Sequence, residues 1–302
     1  MNRIEELGSL ARSLGCEARY GEPMSRHTTF KIGGPADLFL TVEDRPSLQK
    51  LCRRAAELEI PVFPLGNGSN LLVSDEGIRG AVVSFGGGFR RVELCGETAL
   101  ECGAGASLAA VCSFARRCAL TGLEFAWGIP GSAGGAAFMN AGAYDHSVSE
   151  VIAACSHVAR DGKAGIFRGE ELEFGYRHSA YSGGGYCITG LRIALRHGNR
   201  EEISARMEEL YRRRREKQPL DLPSAGSVFK RPKGHFAGAL IEQCGLKGRR
   251  VGGAAVSGKH AGFIVNLGGA TCEDVKKLIA VIRQTVLRQT GVRLECEVRM
   301  VG

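Results

Sequence analysis

Long apolar runs are missing from this 302-residue chain. None approaches the roughly 20 residues that a membrane-spanning helix requires, so no membrane partner is expected. The opening Met1-Asn-Arg-Ile-Glu-Glu-Leu7 carries acids early and has no apolar stretch leading to a cleavage site, which reads as a cytoplasmic protein without a secretory signal. No Cys-x-x-Cys pair occurs among the eleven cysteines, at positions 16, 52, 95, 102, 112, 118, 155, 187, 244, 272 and 296. The usual zinc and dithiol motifs are thereby excluded; no metal is expected, and the thiols are expected to be mostly buried and reduced. Basic residues interleaved with aromatics are also missing, so a nucleic-acid partner is not expected. There is no internal repeat and no long linker.

What remains is an ordinary globular composition, 44% apolar and 24% charged, on a chain long enough for two or three domains. The formal charge of +8 suits an anionic partner without saying which. The densest basic run, Tyr211-Arg-Arg-Arg-Arg-Glu-Lys217, ends a helix-like segment, where cations suit the helix dipole and a solvated helix end explains them equally well.

Glycine is abundant, with 43 residues. From Glu124 to Tyr144 the chain is too apolar for a surface loop and too glycine-rich for an ordinary helix. Pro130 followed by Gly131-Ser132 signals a turn that opens a short helix, whose free amides favour phosphate-like anions. A tightly packed core turn is the plain alternative. A second loop, Gly66-Asn-Gly-Ser-Asn70, lies between strand candidates Pro61–Leu65 and Leu71–Ser74. Strand–loop–strand is not the dinucleotide βαβ turn, and the loop carries no phosphate-binding lysine. Its successive amides, with Ser69 and Asn70 as extra donors, make an anion nest; an Asn-Gly hairpin is the plain alternative. Two such loops suggest one pyrophosphate held between them.

Taken in order, the pattern predicts a helix over 3–15, a loop to Pro23 and a strand from Ala36 to Val42. A helix over 46–59 follows, with Leu48, Leu51, Cys52, Ala55 and Leu58 at helical spacing. Strands are expected over 81–85, 89–94 and 98–102, then a helix capped by Ser107 and running to about Leu120. A hairpin turns over Asp161-Gly162, and a long strand runs from Tyr186 to His197. Beyond a boundary near residue 200 come a charged helix to 217, an irregular polar segment 223–232 and a short helix over 236–244. Strands over 253–256 and 263–266, a Thr271-capped helix to about Gln289 and a strand over 292–301 complete the chain. In that last strand, alternation sets Glu295, Glu297 and Arg299 opposite Leu294, Cys296, Val298 and Met300.

Six motifs occur in order: Gly66-Asn-Gly-Ser-Asn-Leu-Leu-Val73, Gly128-Ile-Pro-Gly-Ser-Ala-Gly-Gly-Ala136, Met139-Asn-Ala-Gly-Ala-Tyr144, Tyr176-Arg-His-Ser179, Ala225-Gly-Ser-Val-Phe-Lys230 and Glu295-x-Glu-Val-Arg299. With them the chain resembles the UDP-N-acetylenolpyruvoylglucosamine reductase family, in its shorter second type, from about His27 to Arg299. These flavoenzymes make UDP-N-acetylmuramate for the bacterial cell wall. The resemblance implies an α+β fold: a two-part FAD-binding domain of the vanillyl-alcohol-oxidase kind (1–80 and 81–199) and a smaller substrate domain (200–302). It implies non-covalent FAD, NADPH as reductant, a small-molecule substrate and a monomer.

The same resemblance places the cofactor on Gly66, Asn67, Gly68, Ser69 and Asn70, on Gly103, on Pro130, Gly131, Ser132 and Gly135, and on Asn140, Ala141 and Gly142. Ser227 becomes the proton donor, while Arg177 and Glu297 polarise the substrate carboxylate, a role in which Glu297 must carry or share a proton. Tyr144, Arg213, Arg214, Lys217 and Arg231 are the implied substrate contacts. Arg231 stands where asparagine is frequent, and Cys296 where proline is. Two rivals remain at this level: an FAD oxidase or dehydrogenase of the same fold, with FAD attached through a His or Cys, and a non-catalytic nucleotide- or RNA-binding protein.

Overall fold

The computed structural model describes residues 2–302. The fold is α+β and packs into two compact units interleaved along the chain. One comprises residues 1–21, 37–67 and 80–212, the other residues 22–36, 68–79 and 213–302. The chain therefore leaves the first unit between Asn67 and Gly68, inside the first glycine loop.

The first unit holds two cores. One surrounds a sheet ordered Glu17–Pro23, Pro35–Val42, Ile78–Phe85, Val62–Leu65, the last two strands parallel. The helix Arg45–Glu57 lays Leu48, Leu51, Cys52 and Ala55 on this core, as their spacing predicts, and Asp44 caps it by accepting from the Ser47 amide at 2.8 Å. The other core lies on an antiparallel sheet ordered Ala164–Arg168, Ile152–Ala159, Tyr186–Ala194, Ala99–Gly103, Val92–Cys95. Its first pair is the expected hairpin over Asp161-Gly162. Helix Leu108–Arg117 covers it, with Ser107 at the N-cap.

The second unit is built on a sheet ordered Ser224–Ser227, Phe263–Asn266, Ala254–Val256, Arg250–Val251 and on helix Cys272–Thr290. Val275, Leu278, Ile279, Ile282 and Val286 form the buried stripe of that helix. Its first amides are almost fully satisfied. Thr271 and Asp274 form a capping box, and the Asp75 carboxylate accepts from the amides of Cys272 at 2.8 Å and Glu273 at 3.1 Å. The Asp75 contribution had no sequence signal, because the residue lies 197 positions upstream of Cys272.

Several expectations are corrected. The loop expected before Pro23 is a strand, Glu17–Pro23. Phe89 lies in a 3₁₀ turn, Gly87–Arg90, and the strand begins only at Val92. The helix after Ser107 stops at Arg117, and Ala119 takes a left-handed φ of 52° before the short strand Leu120–Thr121. The long strand breaks after Ala194. Residues 223–232 are not wholly irregular, since Ser224–Ser227 joins a sheet. In the final segment only Arg299–Val301 is strand, pairing in parallel with Leu71–Val73. Leu294 and Val298 are buried there, but Met300 is 48% exposed, so strict alternation fails. Among the described residues no helix is long and apolar enough to cross a membrane.

Seven of the eleven cysteines are buried and all are free thiols. Burial in the apolar sheet pushes the thiols of Cys102, Cys112 and Cys155 up to about 12, so they stay protonated and unreactive at neutral pH.

Candidate active site

In the first unit the two glycine loops meet. A side chain on Gly66 would collide with the Ser132 hydroxyl. Ser132 is buried and caps the short helix Ala133–Met139, its Oγ accepting from the Gly135 amide at 3.1 Å. The start of that helix is pressed onto the loop following strand Ala99–Gly103. The amides of Ala133 and Gly134 donate to the Ala106 and Ala104 carbonyls at 2.8 and 2.9 Å, and a Cβ on Gly134 would sit 2.7 Å from that of Ala104. Gly103 itself packs on the Phe89 backbone too closely for any side chain.

This geometry changes the expected anion site. The amides of Ala133, Gly134 and Gly135 have protein acceptors, so the helix start is not a row of open donors. The candidate cradle is instead the close approach of Gly66, which has no Cβ, to the Ser132 hydroxyl, beside Asn67 and the turn Pro130–Gly131. Such a surface admits a flat, phosphorylated cofactor closely, and the residues present fit FAD on that ground. Replacing Gly66 by alanine is expected to displace the Ser132 hydroxyl from its cap, at a cost of about 1 kcal/mol, and to weaken FAD retention several-fold. Gel filtration followed by the ratio of flavin to protein absorbance measures it. Unchanged retention would remove this contact from the cradle.

The turn after the helix is conformationally strained. Asn140 ends the helix in the left-handed region at φ 42°, and Tyr144 and Asp145 follow at 56° and 64°. The last two form the tip of a two-residue hairpin between Gly142–Ala143 and His146–Ser147. A bulky tyrosine rarely adopts such a φ, and strain of this kind gathers at functional sites. The Asn140 side chain donates to the Gly175 carbonyl at 2.8 Å and accepts from the Ser149 amide at 3.1 Å. Both ends of its amide are thus committed to protein, and Asn140 shapes the turn rather than offering its side chain. The Tyr144 hydroxyl donates to the Leu210 carbonyl at 2.7 Å.

Arg177 reaches the same turn. It lies in a tight turn closed by reciprocal bonds between Gly175 and His178, at a left-handed φ of 54°. Its guanidinium stands 5.1 Å over the Tyr176 ring and donates to the Gly142 carbonyl at 3.5 Å. The first unit therefore sets Gly66 against Ser132 at the start of helix Ala133–Met139 and gathers Asn140, Gly142 and Arg177 around its end.

The second unit brings Asn70, Ser227 and Glu297 together. Ser227 ends a strand that is bulged against Phe263–Asn266, with Gly226 at φ 76° supplying the bend. The Val228 amide donates to the Gly262 carbonyl at 2.9 Å, while the Val228 carbonyl accepts from the Glu297 amide at 2.7 Å. An isolated bridge pairs Phe229 with Cys296. The Ser227 hydroxyl is half-buried and rests on the Phe229 carbonyl at 3.2 Å. Asn70, expected to aim its amide at an anion, donates instead to the Glu297 carbonyl at 3.2 Å. Gly68 holds the loop against His27 and Thr28 at φ 60°, where a Cβ would strike the His27 carbonyl.

The basic helix sorts its cations. Arg213 and Lys217, four residues apart, are exposed on one face, whereas Arg214 is 7% exposed and donates to Gln218 Oε1 at 3.3 Å. Arg212 and Arg215 are exposed as well, so Arg214 alone of the run's cations is withdrawn from solvent. Lys259, which carried no sequence signal, donates to the Arg215 carbonyl at 2.6 Å and closes the helix end. Arg231 stacks 4.0 Å over Phe236, itself 61% exposed.

Residues 36–167 match the FAD binding domain family, and residues 218–301 match the C-terminal domain of UDP-N-acetylenolpyruvoylglucosamine reductase. The chain is 47% identical over 292 residues to the UDP-N-acetylenolpyruvoylglucosamine reductase of Agathobacter rectalis, covering 93% of each. It is 46% identical over 298 residues to UDP-N-acetylenolpyruvoylglucosamine reductase 2 of Symbiobacterium thermophilum, covering 99% of this chain and 96% of that one. Among solved structures, the enzyme of that name from Thermus caldophilus superposes with a TM-score of 0.82 at 39% identity, covering 95% of this chain and 99% of that one.

Proposed function

The chain belongs to the UDP-N-acetylenolpyruvoylglucosamine reductase family and is a flavin-dependent oxidoreductase, and on that premise we propose that Ser227, Glu297 and Arg177 carry the protein's part of the reduction. FAD-dependent reduction converts the enolpyruvyl ether of UDP-N-acetylglucosamine to the lactyl ether, UDP-N-acetylmuramate, in peptidoglycan synthesis. FAD, held at Gly66, Asn67 and the turn Pro130–Ser132 and reduced by NADPH, would supply the hydride chemistry needed at the methylene carbon of the enolpyruvyl group. The neighbouring carbon then needs a proton, which Ser227 gives after turning its hydroxyl from the Phe229 carbonyl to the substrate.

The observation that carries this reading is the bond from the Glu297 amide to the carbonyl of Val228, the residue after Ser227. It makes proton donor and glutamate neighbours on two tied segments. Charge building on the substrate carboxylate is stabilised by Glu297 in its protonated form and by the Arg177 cation. Because Arg177 is already set by its turn and by Tyr176, little side-chain freedom is lost when it engages. Arg213 and Lys217 present adjacent charges suited to the substrate diphosphate. Arg231, which stacks on Phe236, adds a further cation for the same anionic ligand. Tyr144 shapes the neighbourhood of Gly142 from its strained turn. We place this enzyme in the cytoplasm as a monomer.

An anaerobic flavin titration tests the whole reading. NADPH is expected to bleach the visible band, and UDP-N-acetylglucosamine enolpyruvate to restore it with formation of UDP-N-acetylmuramate. Recovery only on admitting air would favour an oxidase of this fold. A protein that is colourless as purified and fails to take up added FAD would sink the proposal.

A further inference from the structure

We infer that Asn70 is a positioning residue for Glu297, acting on substrate reduction through the Glu297 peptide rather than on FAD through its side chain. The inference rests on the reductase reading for what Glu297 does.

The segment around Glu297 lacks a regular ladder, since residues 292–298 contain one isolated bridge, Phe229 to Cys296, and strand begins only at Arg299. Its geometry therefore depends on individual bonds. The Glu297 amide is held by the Val228 carbonyl at 2.7 Å, and the Glu297 carbonyl is held by Asn70 Nδ2 at 3.2 Å. Asn70 also accepts from the Arg299 amide at 3.0 Å through its own carbonyl. Parallel pairing of Leu71 with Arg299 follows directly. Asn70 thus grips the chain on both sides of residue 298, and the peptide that carries the Glu297 side chain is fixed at both ends. A rotation of that peptide would swing the Glu297 side chain relative to the segment that it shares with Val228, the residue after Ser227.

The chemistry is specific to asparagine. The Glu297 carbonyl accepts, so its partner must donate. Aspartate has the same shape but would set a carboxylate oxygen against the carbonyl; alanine leaves the carbonyl without this donor. Neither substitution alters the backbone of the glycine loop, which is what the cofactor cradle uses.

The test uses flavin-loaded Asn70→Asp and Asn70→Ala proteins beside the parent and Glu297→Gln. Both Asn70 variants are expected to keep the parent's flavin content and to be bleached by NADPH within about twofold of the parent's rate. Their reoxidation by UDP-N-acetylglucosamine enolpyruvate should slow by about 10–100-fold, the scale of an ångström-sized misplacement of a catalytic group. The loss should fall on the rate at saturating substrate, not on KM. Asn70→Ala placed on Glu297→Gln should slow reoxidation by much less than the product of the two single effects, because the two residues act as one unit. Loss of flavin or of NADPH bleaching in Asn70→Asp would return the residue to the cofactor cradle and overturn the inference. So would full additivity in the double variant, or reoxidation at the parent's rate. A parent protein that the enolpyruvyl substrate does not reoxidise would fail the reductase reading and this inference with it, a result distinct from failure of the variants alone.

Discussion

Alanine at position 227 is expected to leave the flavin bound and bleachable by NADPH while product formation falls by about 10²–10⁴-fold, the range a positioned proton donor contributes. The two half-reactions separate because the hydroxyl is needed only when a substrate carbon must be protonated. Serine is a weak acid in water, so its usefulness here depends on placement and on a strongly basic carbon partner. The structure supplies placement: Gly226 bends the strand at φ 76°, and the Val228 peptide is held on one side by Gly262 and on the other by Glu297. Removing the hydroxyl touches none of these backbone bonds, so folding should be unaffected and the melting temperature unchanged. Stopped-flow measurement of each half-reaction makes the comparison. Turnover within a few-fold of the parent would remove Ser227 from its role.

Glutamine in place of Glu297 is expected to retain flavin and to slow reoxidation by about 10²–10³-fold, the scale of losing one preorganised donor to developing charge. Glutamine can still donate a hydrogen bond but cannot share a proton, so part of the stabilisation survives. Loss of flavin in this variant would move Glu297 from chemistry to structure, and reoxidation at the parent's rate would remove it from the reaction.

Much of the local structure was legible because its cause is local. Ser107 and Thr271 each cap the helix that follows them, and a cap is a contact between residues three positions apart. The hairpin over Asp161-Gly162 was legible for the same reason. Strands Glu17–Pro23 and Ser224–Ser227 were not, since neither has strong alternation and each exists through partners brought to it by the fold. The final segment was read as strand too early: its apolar alternation is real from Leu294 to Val298, but a ladder forms only where Leu71–Val73 lies alongside.

For the site, the two short glycine loops suggested a bound pyrophosphate, with a core turn and a hairpin as plain alternatives, the net charge suited an anionic partner, and the ordered motifs carried the resemblance to the family. Those properties travel with the sequence because backbone freedom at glycine and the charge of arginine need no partner to be recognised. Which donors remain available was decided by tertiary structure alone. The amides at the start of helix Ala133–Met139 are taken by the loop at Ala104 and Ala106, Asn140 is spent on Gly175 and Ser149, Arg214 is buried, and Asn70 turns to Glu297. A hydrogen-bonding group binds whatever acceptor the fold places nearest, and for Asn70 that acceptor lies 227 residues away along the chain.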